Sequence, residues 1–194
     1  MPYMKKKIYY LSVIFALPCI AYSSRELYWH FLFKEQQSYV QKIAEREFFD
    51  HDTKRKYEKL IDSGLKLKPE NMIFRYEKFK MHLIDKDYTG AIEALKPVQD
   101  KWEARQFICA IYDYRNYPEQ EVLSCYKDAA NMMRKKNNVY SSDAYVMSLF
   151  FSNEMSCDDA KKNMPNSSML KKILVKTCDR KRIINEYINI LSEK

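Results

Sequence analysis

Only two glycines, Gly64 and Gly90, occur in 194 residues, and no other feature restricts the fold of this chain more. Glycine turns a backbone through positive φ without steric cost, and sandwiches and barrels need many such turns. The same scarcity removes phosphate-cradling loops, because neither G-x-G-x-x-G nor G-x-x-x-x-G-K-[ST] can be written with two isolated glycines. Apolar residues make up 46% of the chain and charged residues 31%, in amphipathic stretches with six prolines between them. That combination predicts helices joined by short links, with enough apolar surface for the core of one domain of moderate size.

The first residues read differently from the rest. Lys5-Lys6-Lys7 precede an apolar run from Ile8 to Ile20, followed by Ala21-Tyr22-Ser23. A charged stretch, an apolar stretch of about 13 residues and a small-residue exit form the pattern of a secretory leader. Residues 1–23 are therefore expected to be a signal peptide cleaved after Ser23, with cleavage after Ala21 the next choice. Pro18 suits this reading, since it breaks a helix near the end of the run. One alternative is an uncleaved anchor. Residues 8–23 are short for a span of about 20 residues, and Arg25 and Glu26 separate them from the apolar Leu27, Tyr28, Trp29, Phe31, Leu32 and Phe33. The other alternative is lipidation of Cys19, where Leu17 and Pro18 stand in place of the small residues normally wanted.

Export changes the reading of charge and of cysteine. The leader carries three lysines and no acid, so the rest of the chain holds 31 basic and 26 acidic residues, a net of +5 instead of +8. These charges are interspersed, which points to a solvated surface and away from nucleic acid as a partner. The short run Arg134-Lys135-Lys136 is expected to mark a helix end, where cations complement the helix dipole. Five cysteines become four once Cys19 leaves with the leader: Cys109, Cys125, Cys157 and Cys178. An even set in an exported chain suggests disulfides.

Helical register pairs them. Cys109 falls in a helical pattern over residues 102–115 and Cys125 in the next, 118–135, with a turn near Asn116-Tyr117. Each lies seven or eight residues from that turn, roughly 11–12 Å along antiparallel helices, so the two come level. Cys157 and Cys178 flank residues 164–168 in the same way. The expected bridges are Cys109–Cys125 and Cys157–Cys178, each contributing about 3 kcal/mol if unstrained. The plainer alternative is four buried free thiols acting as small apolar residues. Zinc is disfavoured, since there is no C-x-x-C and no histidine near these cysteines in sequence.

Ser23-Ser24-Arg25-Glu26 reads as a capping box opening a helix that runs to about Phe49. A second pattern spans residues 53–65, with Tyr57, Leu60 and Ile61 at helical spacing. The stretch 65–98 is the most informative. Pro69 and Asn71 precede an amphipathic helix over 72–85, Asp87-Tyr88 mark a turn, and Ala91 opens a second helix. This resembles a tetratricopeptide or Sel1-like repeat, in which a small residue at the position of Ala91 lets two helices approach closely. Lys78 and Phe79 depart from the pattern, standing where the family prefers a large apolar residue and then a glycine. A second, degenerate unit would pair 102–115 with 121–134, with Asn116-Tyr117-Pro118-Glu119 as its turn and Pro118 at the first helical position. Its turn follows Asp87-Tyr88 by 29 residues, below the usual 34 of the family. An earlier unit would occupy 39–67, and a later pair 142–153 and 156–164, with Ser156-x-x-Asp159 as a helix start. The chain closes with 170–178 and 179–191, whose Ile183, Ile184, Tyr187, Ile188 and Leu191 form an amphipathic cap.

No catalytic constellation stands out, and neither H-E-x-x-H nor G-x-S-x-G is present. His51 between Asp50 and Asp52 reads as a solvated helix start, and His82 with Asp85 as an i,i+3 pair. Sixteen tyrosines are more suggestive, since tyrosine combines contact area with a hydroxyl and favours interfaces. Most of them are expected to fill space between helices. Arg75, Tyr76, Lys80, Arg105 and Tyr112 are the candidates for lining a partner-binding groove.

The expectation is thus an all-α, disulfide-stapled stack of antiparallel helical hairpins over residues 24–194, with no cofactor, no metal and no enzymatic role. Its partner would be a protein met outside the cytoplasm, in a periplasm. A small exported helical-repeat protein of this kind resembles the periplasmic immunity proteins that neutralise secreted antibacterial effectors. A membrane-anchored scaffold or assembly factor of an envelope complex is the alternative, touching the membrane only through the N-terminal segment.

Overall fold

A computed structural model describes residues 24–38, 51–135, 143–166 and 168–192. The leader with Cys19, the capping serine Ser23 and the expected helical stretch 39–49 lie outside the described residues. Within them the chain is all-helical, with no strand. Residues 24–38 form α1. The remaining helices are α2 (His51–Leu67), α3 (Met72–Ile84), α4 (Tyr88–Leu95), α5 (Trp102–Tyr114), α6 (Glu119–Arg134), α7 (Asp143–Phe151), α8 (Cys157–Asn163), α9 (Met169–Lys176) and α10 (Arg180–Ser192). No helix among the described residues is long and apolar enough to cross a membrane.

The chain divides into two compact units after Pro69. In the first, Trp29 and Leu32 of α1 are buried, as are Tyr57, Leu60, Ile61 and Leu65 of α2. The end of α2 is tied back to α1. Lys68 lies 3.0 Å from Glu26 and 4.5 Å from the centre of the Trp29 ring, and the Arg25 guanidinium donates to the Leu67 carbonyl.

The second unit carries three successive helical hairpins, α3–α4, α5–α6 and α7–α8, followed by α9 and α10. Short polar side chains set the helix starts. Asn71 accepts from the Phe74 amide at 3.1 Å, Asp87 from Gly90 at 2.9 Å, and Ser156 from Asp159 at 3.1 Å. Each satisfies an amide that the first helical turn leaves without a partner. Pro118 sits one residue earlier than expected. It is the cap residue of α6 with extended ψ of 131°, not the first helical residue, and its carbonyl accepts from Glu121 and Val122. As expected, α6 stops at Arg134, inside the basic run.

One turn geometry closes the first helix of all three hairpins. Lys86, Asn116 and Asn153 adopt φ of 57°, 56° and 62°. In each case the residue after them donates back five residues: Asp87 to His82, Tyr117 to Tyr112, and Glu154 to Leu149, at 2.8, 3.0 and 2.8 Å. The positive-φ residues themselves donate to Leu83, Asp113 and Phe150. This paired pattern is the left-handed helix stop usually built on glycine. Here lysine and asparagine fill it, so the chain makes these turns while spending neither glycine on them. Gly90 instead occupies the first turn of α4. A Cβ there would collide with the Asp87 carboxylate and the His82 ring. His82 pairs with that carboxylate at 2.9 Å across the turn. The turn brings residue 87 back over residue 82.

A large apolar core runs through the second unit, beside a smaller cluster of Ala129, Ala130, Met133, Tyr145 and Leu149. The large core includes Phe79, Leu83, Ala91, Leu95, Ile108, Ile111, Tyr126, Phe151, Leu174, Ile184 and Ile188. Ala91 is fully buried, consistent with its expected role in close approach of α3 and α4. At about 25 cal/mol per Å² of apolar surface, burial of such side chains is the main stabilising term. Both bridges form. Cys109 joins Cys125 and Cys157 joins Cys178, with Cα separations of 5.6 and 5.9 Å. The last helix differs from the sequence reading. Its main neighbours are α5, α3 and α9, so α10 returns along the first two hairpins and does not simply cover the last one.

Candidate functional site

The residues that turn α5 into α6 and the start of α10 build one surface. The left-handed Asn116 swings Tyr117 back over Tyr112, and their rings stack at 4.5 Å. On the facing side Arg180, the first residue of α10, places its Nε 2.8 Å from the Asp113 carboxylate. The same guanidinium lies over the rings of Tyr126 and Phe151, at 5.9 and 5.8 Å. One side chain thus pins α10 to α5, α6 and α7. Burial raises the pKa of Asp113, and the Arg180 hydrogen bond only partly offsets it. Tyr126 is fully buried and its hydroxyl has no hydrogen-bond partner among the described residues. Burial, and then the nearby Asp113, push its pKa well up.

Two adjoining clefts open here. One, of about 600 Å³, is lined by Tyr114, Arg115, Asn116, Lys181, Asn185 and Asn189. The other, of about 410 Å³, shares Asn116 and Lys181 and adds Asp113, Tyr117, Glu119, Val122 and Arg180. Arg115 is held with its guanidinium 5.3 Å above the Tyr88 ring. Tyr88 and Tyr114 meet with their hydroxyls 3.4 Å apart, and burial together with that hydrogen bond pushes the Tyr88 pKa up to about 12. The Tyr88 phenol therefore serves as a neutral hydrogen-bonding group at ordinary pH.

The five groove candidates occupy several places. Tyr76 packs with Phe79 and Phe107 at 5.8 and 5.1 Å, and Lys80 lies 5.9 Å above its ring. Tyr187 of α10 lies within electrostatic reach of Tyr76; burial first, then that neighbour, raise its pKa. Arg75 donates to the Ala94 carbonyl at 3.3 Å, and Arg105 lies 3.7 Å from Asp128 on α6. Tyr112 is at the opposite end of α5, in its last helical turn. The structure brings Tyr76 and Lys80 together, while Arg75, Arg105 and Tyr112 each engage a different element. Sequence reasoning missed Arg115, Lys181, Asn185 and Asn189. The signal was present as a polar stripe at i, i+4 and i+8 on α10, opposite its isoleucines.

Among the described residues no cluster of three or more His, Cys, Asp or Glu side chains is placed to hold a metal ion. Comparisons with known protein families, with characterised proteins and with solved structures find no match to this chain.

Proposed function

We propose that this chain is an exported helical-repeat protein that acts by binding another protein, as a periplasmic inhibitor of a secreted antibacterial effector would. The observation that carries the reading is the pair of disulfides, one in each half of the second unit. Such bridges persist in oxidising compartments and are rare where thiols are kept reduced. They hold hairpins in fixed register, and a rigid surface loses less entropy on binding than a mobile one. The repeat character is supported by the three hairpins whose first helices end in the same left-handed stop. Tyrosine, arginine and asparagine around the α5–α6 turn match the composition of recognition surfaces.

Affinity capture from the native host tests the proposal. The expected result is a stoichiometric protein partner whose activity falls when this chain binds. Failure to retain any protein at stoichiometric level, with the bridges intact, sinks the binding reading. An anchored scaffold of an envelope complex is the second reading. It is favoured by Leu27, Tyr28 and Phe31, which are 71%, 49% and 61% exposed on the helix that follows the apolar run. Fractionation separates the two, since a scaffold stays with the membrane under alkaline extraction and a cleaved inhibitor is released with soluble protein.

A further inference from the structure

The larger cleft at the α5–α6 turn has a lining that selects its occupant. Of its six residues, two are cationic, three are asparagines and one is a tyrosine; none is acidic. Lys181, Asn185 and Asn189 lie at i, i+4 and i+8 on α10, all exposed. They form a row with steps of about 6 Å along the helix axis. An extended polypeptide presents every second residue to the same side, with a repeat of about 6.6 Å. The two repeats agree closely enough for consecutive asparagines to meet alternate residues of an extended chain. A primary amide both donates and accepts, so it can engage a peptide C=O and N–H together. Among the described residues, the side-chain amides of Asn185 and Asn189 make no hydrogen bond with the protein.

Charge fixes the rest. Arg115 and Lys181 line the same cleft as the asparagines, while Arg180, next to Lys181 in sequence, is already engaged by Asp113. Glu119 lines the adjoining cleft beyond Lys181. The larger cleft therefore favours an acid, and the adjoining one, lined by Asp113 and Glu119, disfavours one. A nucleic-acid strand is a poorer fit, since its affinity grows with the number of phosphates neutralised and this cleft is lined by two cations, Arg115 and Lys181.

Resting on the protein-binding reading above, we propose that this cleft binds an extended acidic segment of the partner. Asn185 and Asn189 hold its backbone, and Arg115 with Lys181 hold an Asp or Glu side chain. The test pans a random displayed-peptide library on the full chain with both bridges formed. Recovered peptides should be enriched in Asp and Glu. Their binding, read by fluorescence anisotropy, should weaken about tenfold in the double variant Asn185→Ala/Asn189→Ala. It should weaken at least as much in Arg115→Glu/Lys181→Glu, and fall with added salt. Circular dichroism melts establish that the variants fold; should charge reversal disturb folding, the asparagine variant is the deciding readout. The proposal is overturned if no peptide is recovered, if recovered peptides lack acids or ignore these substitutions, or if single-stranded oligothymidylate binds more tightly than any of them. The two readings fail separately. A host partner captured equally by wild type and Arg115→Glu/Lys181→Glu removes the cleft and keeps the binding function. Peptides that need the cleft, with no partner captured from the host, do the reverse.

Discussion

The two disulfides close loops of similar length in dissimilar surroundings, and reduction of the native protein should separate them sharply. The separations are 16 and 21 residues. Loop-closure entropy assigns each bridge about 3 kcal/mol, and the two differ by only about 0.2 kcal/mol. Burial differs far more. Cys109 and Cys125 are 0% and 7% exposed in the core, whereas Cys178 is exposed and Cys157 half-buried. A thiolate must reach a sulfur to attack it, so access governs the rate. Under native conditions dithiothreitol should open Cys157–Cys178 first. Alkylation and mass spectrometry should then find two labels on those residues, long before any appear on Cys109 or Cys125. Release of the buried pair should follow the rate of global unfolding. Paired serine substitutions extend the test. Cys157→Ser/Cys178→Ser should cost about 3 kcal/mol, read by urea denaturation. Cys109→Ser/Cys125→Ser should cost the same and a further ~1–3 kcal/mol for each hydroxyl left in the core. The total is comparable to the ~5–15 kcal/mol that holds a typical domain together. Simultaneous labelling of all four cysteines, earlier labelling of Cys109 and Cys125, or equal stability of the two variants refutes the reasoning.

Four further outcomes are expected. Gly90→Ala forces the Asp87 carboxylate and the His82 ring apart and weakens the α4 cap, so stability should fall by ~1–2 kcal/mol in chemical denaturation; an unchanged midpoint contradicts it. Lys86→Gly relieves a left-handed residue that carries a Cβ, and should raise the melting point by the equivalent of ~0.5–1 kcal/mol. Arg180→Met leaves Asp113 half-buried without its partner and should cost about 3 kcal/mol, largely recovered when Asp113→Asn is added. The two acids should act oppositely in pH titrations. The Gly90 amide, then His82, hold the Asp87 pKa below its ordinary value. Its stabilisation is therefore present above the unfolded-state value of about 4 and lost as pH falls through the lower folded value. Asp113 has a raised pKa, so acidification through its folded value relieves a desolvated charge and favours the folded state. Comparing the acid limb of the stability curve in Asp87→Asn and Asp113→Asn checks both signs: the first should flatten the loss and the second should steepen it.

Helix starts were legible because Asn71, Asp87 and Ser156 announce them by chemistry that acts within three residues. The bridges were legible for a related reason. Once the turns are placed, helical rise brings Cys109 level with Cys125, and it carries the chain close enough for Cys178, in the link after α9, to meet Cys157 at the start of α8. Features that depend on a partner from elsewhere in the chain were not legible. A left-handed helix stop is read from glycine, so its use of Lys86, Asn116 and Asn153 left no mark. The pairing of His82 with Asp87 exists only because that stop folds the chain back. The isoleucines of α10 declare a buried face without naming α5 and α3 as what they meet. The row of Lys181, Asn185 and Asn189 reads as ordinary solvated surface until the α5–α6 turn is placed beside it.

The return of α10 to α3 has a consequence for how the second unit comes apart. Arrays whose members touch only their neighbours melt from the ends inward, and each member can fray alone. Here the last helix rests on α5 and on α3, the first helix of the unit, so the two ends of the unit meet and neither is a free edge. Folding is slowed, because the nucleus must close nearly the whole loop of the unit before these contacts form. Once formed, amide exchange in α10 should proceed at the free energy of global opening, as in a closed ring, and not at the lower cost of a loose tail.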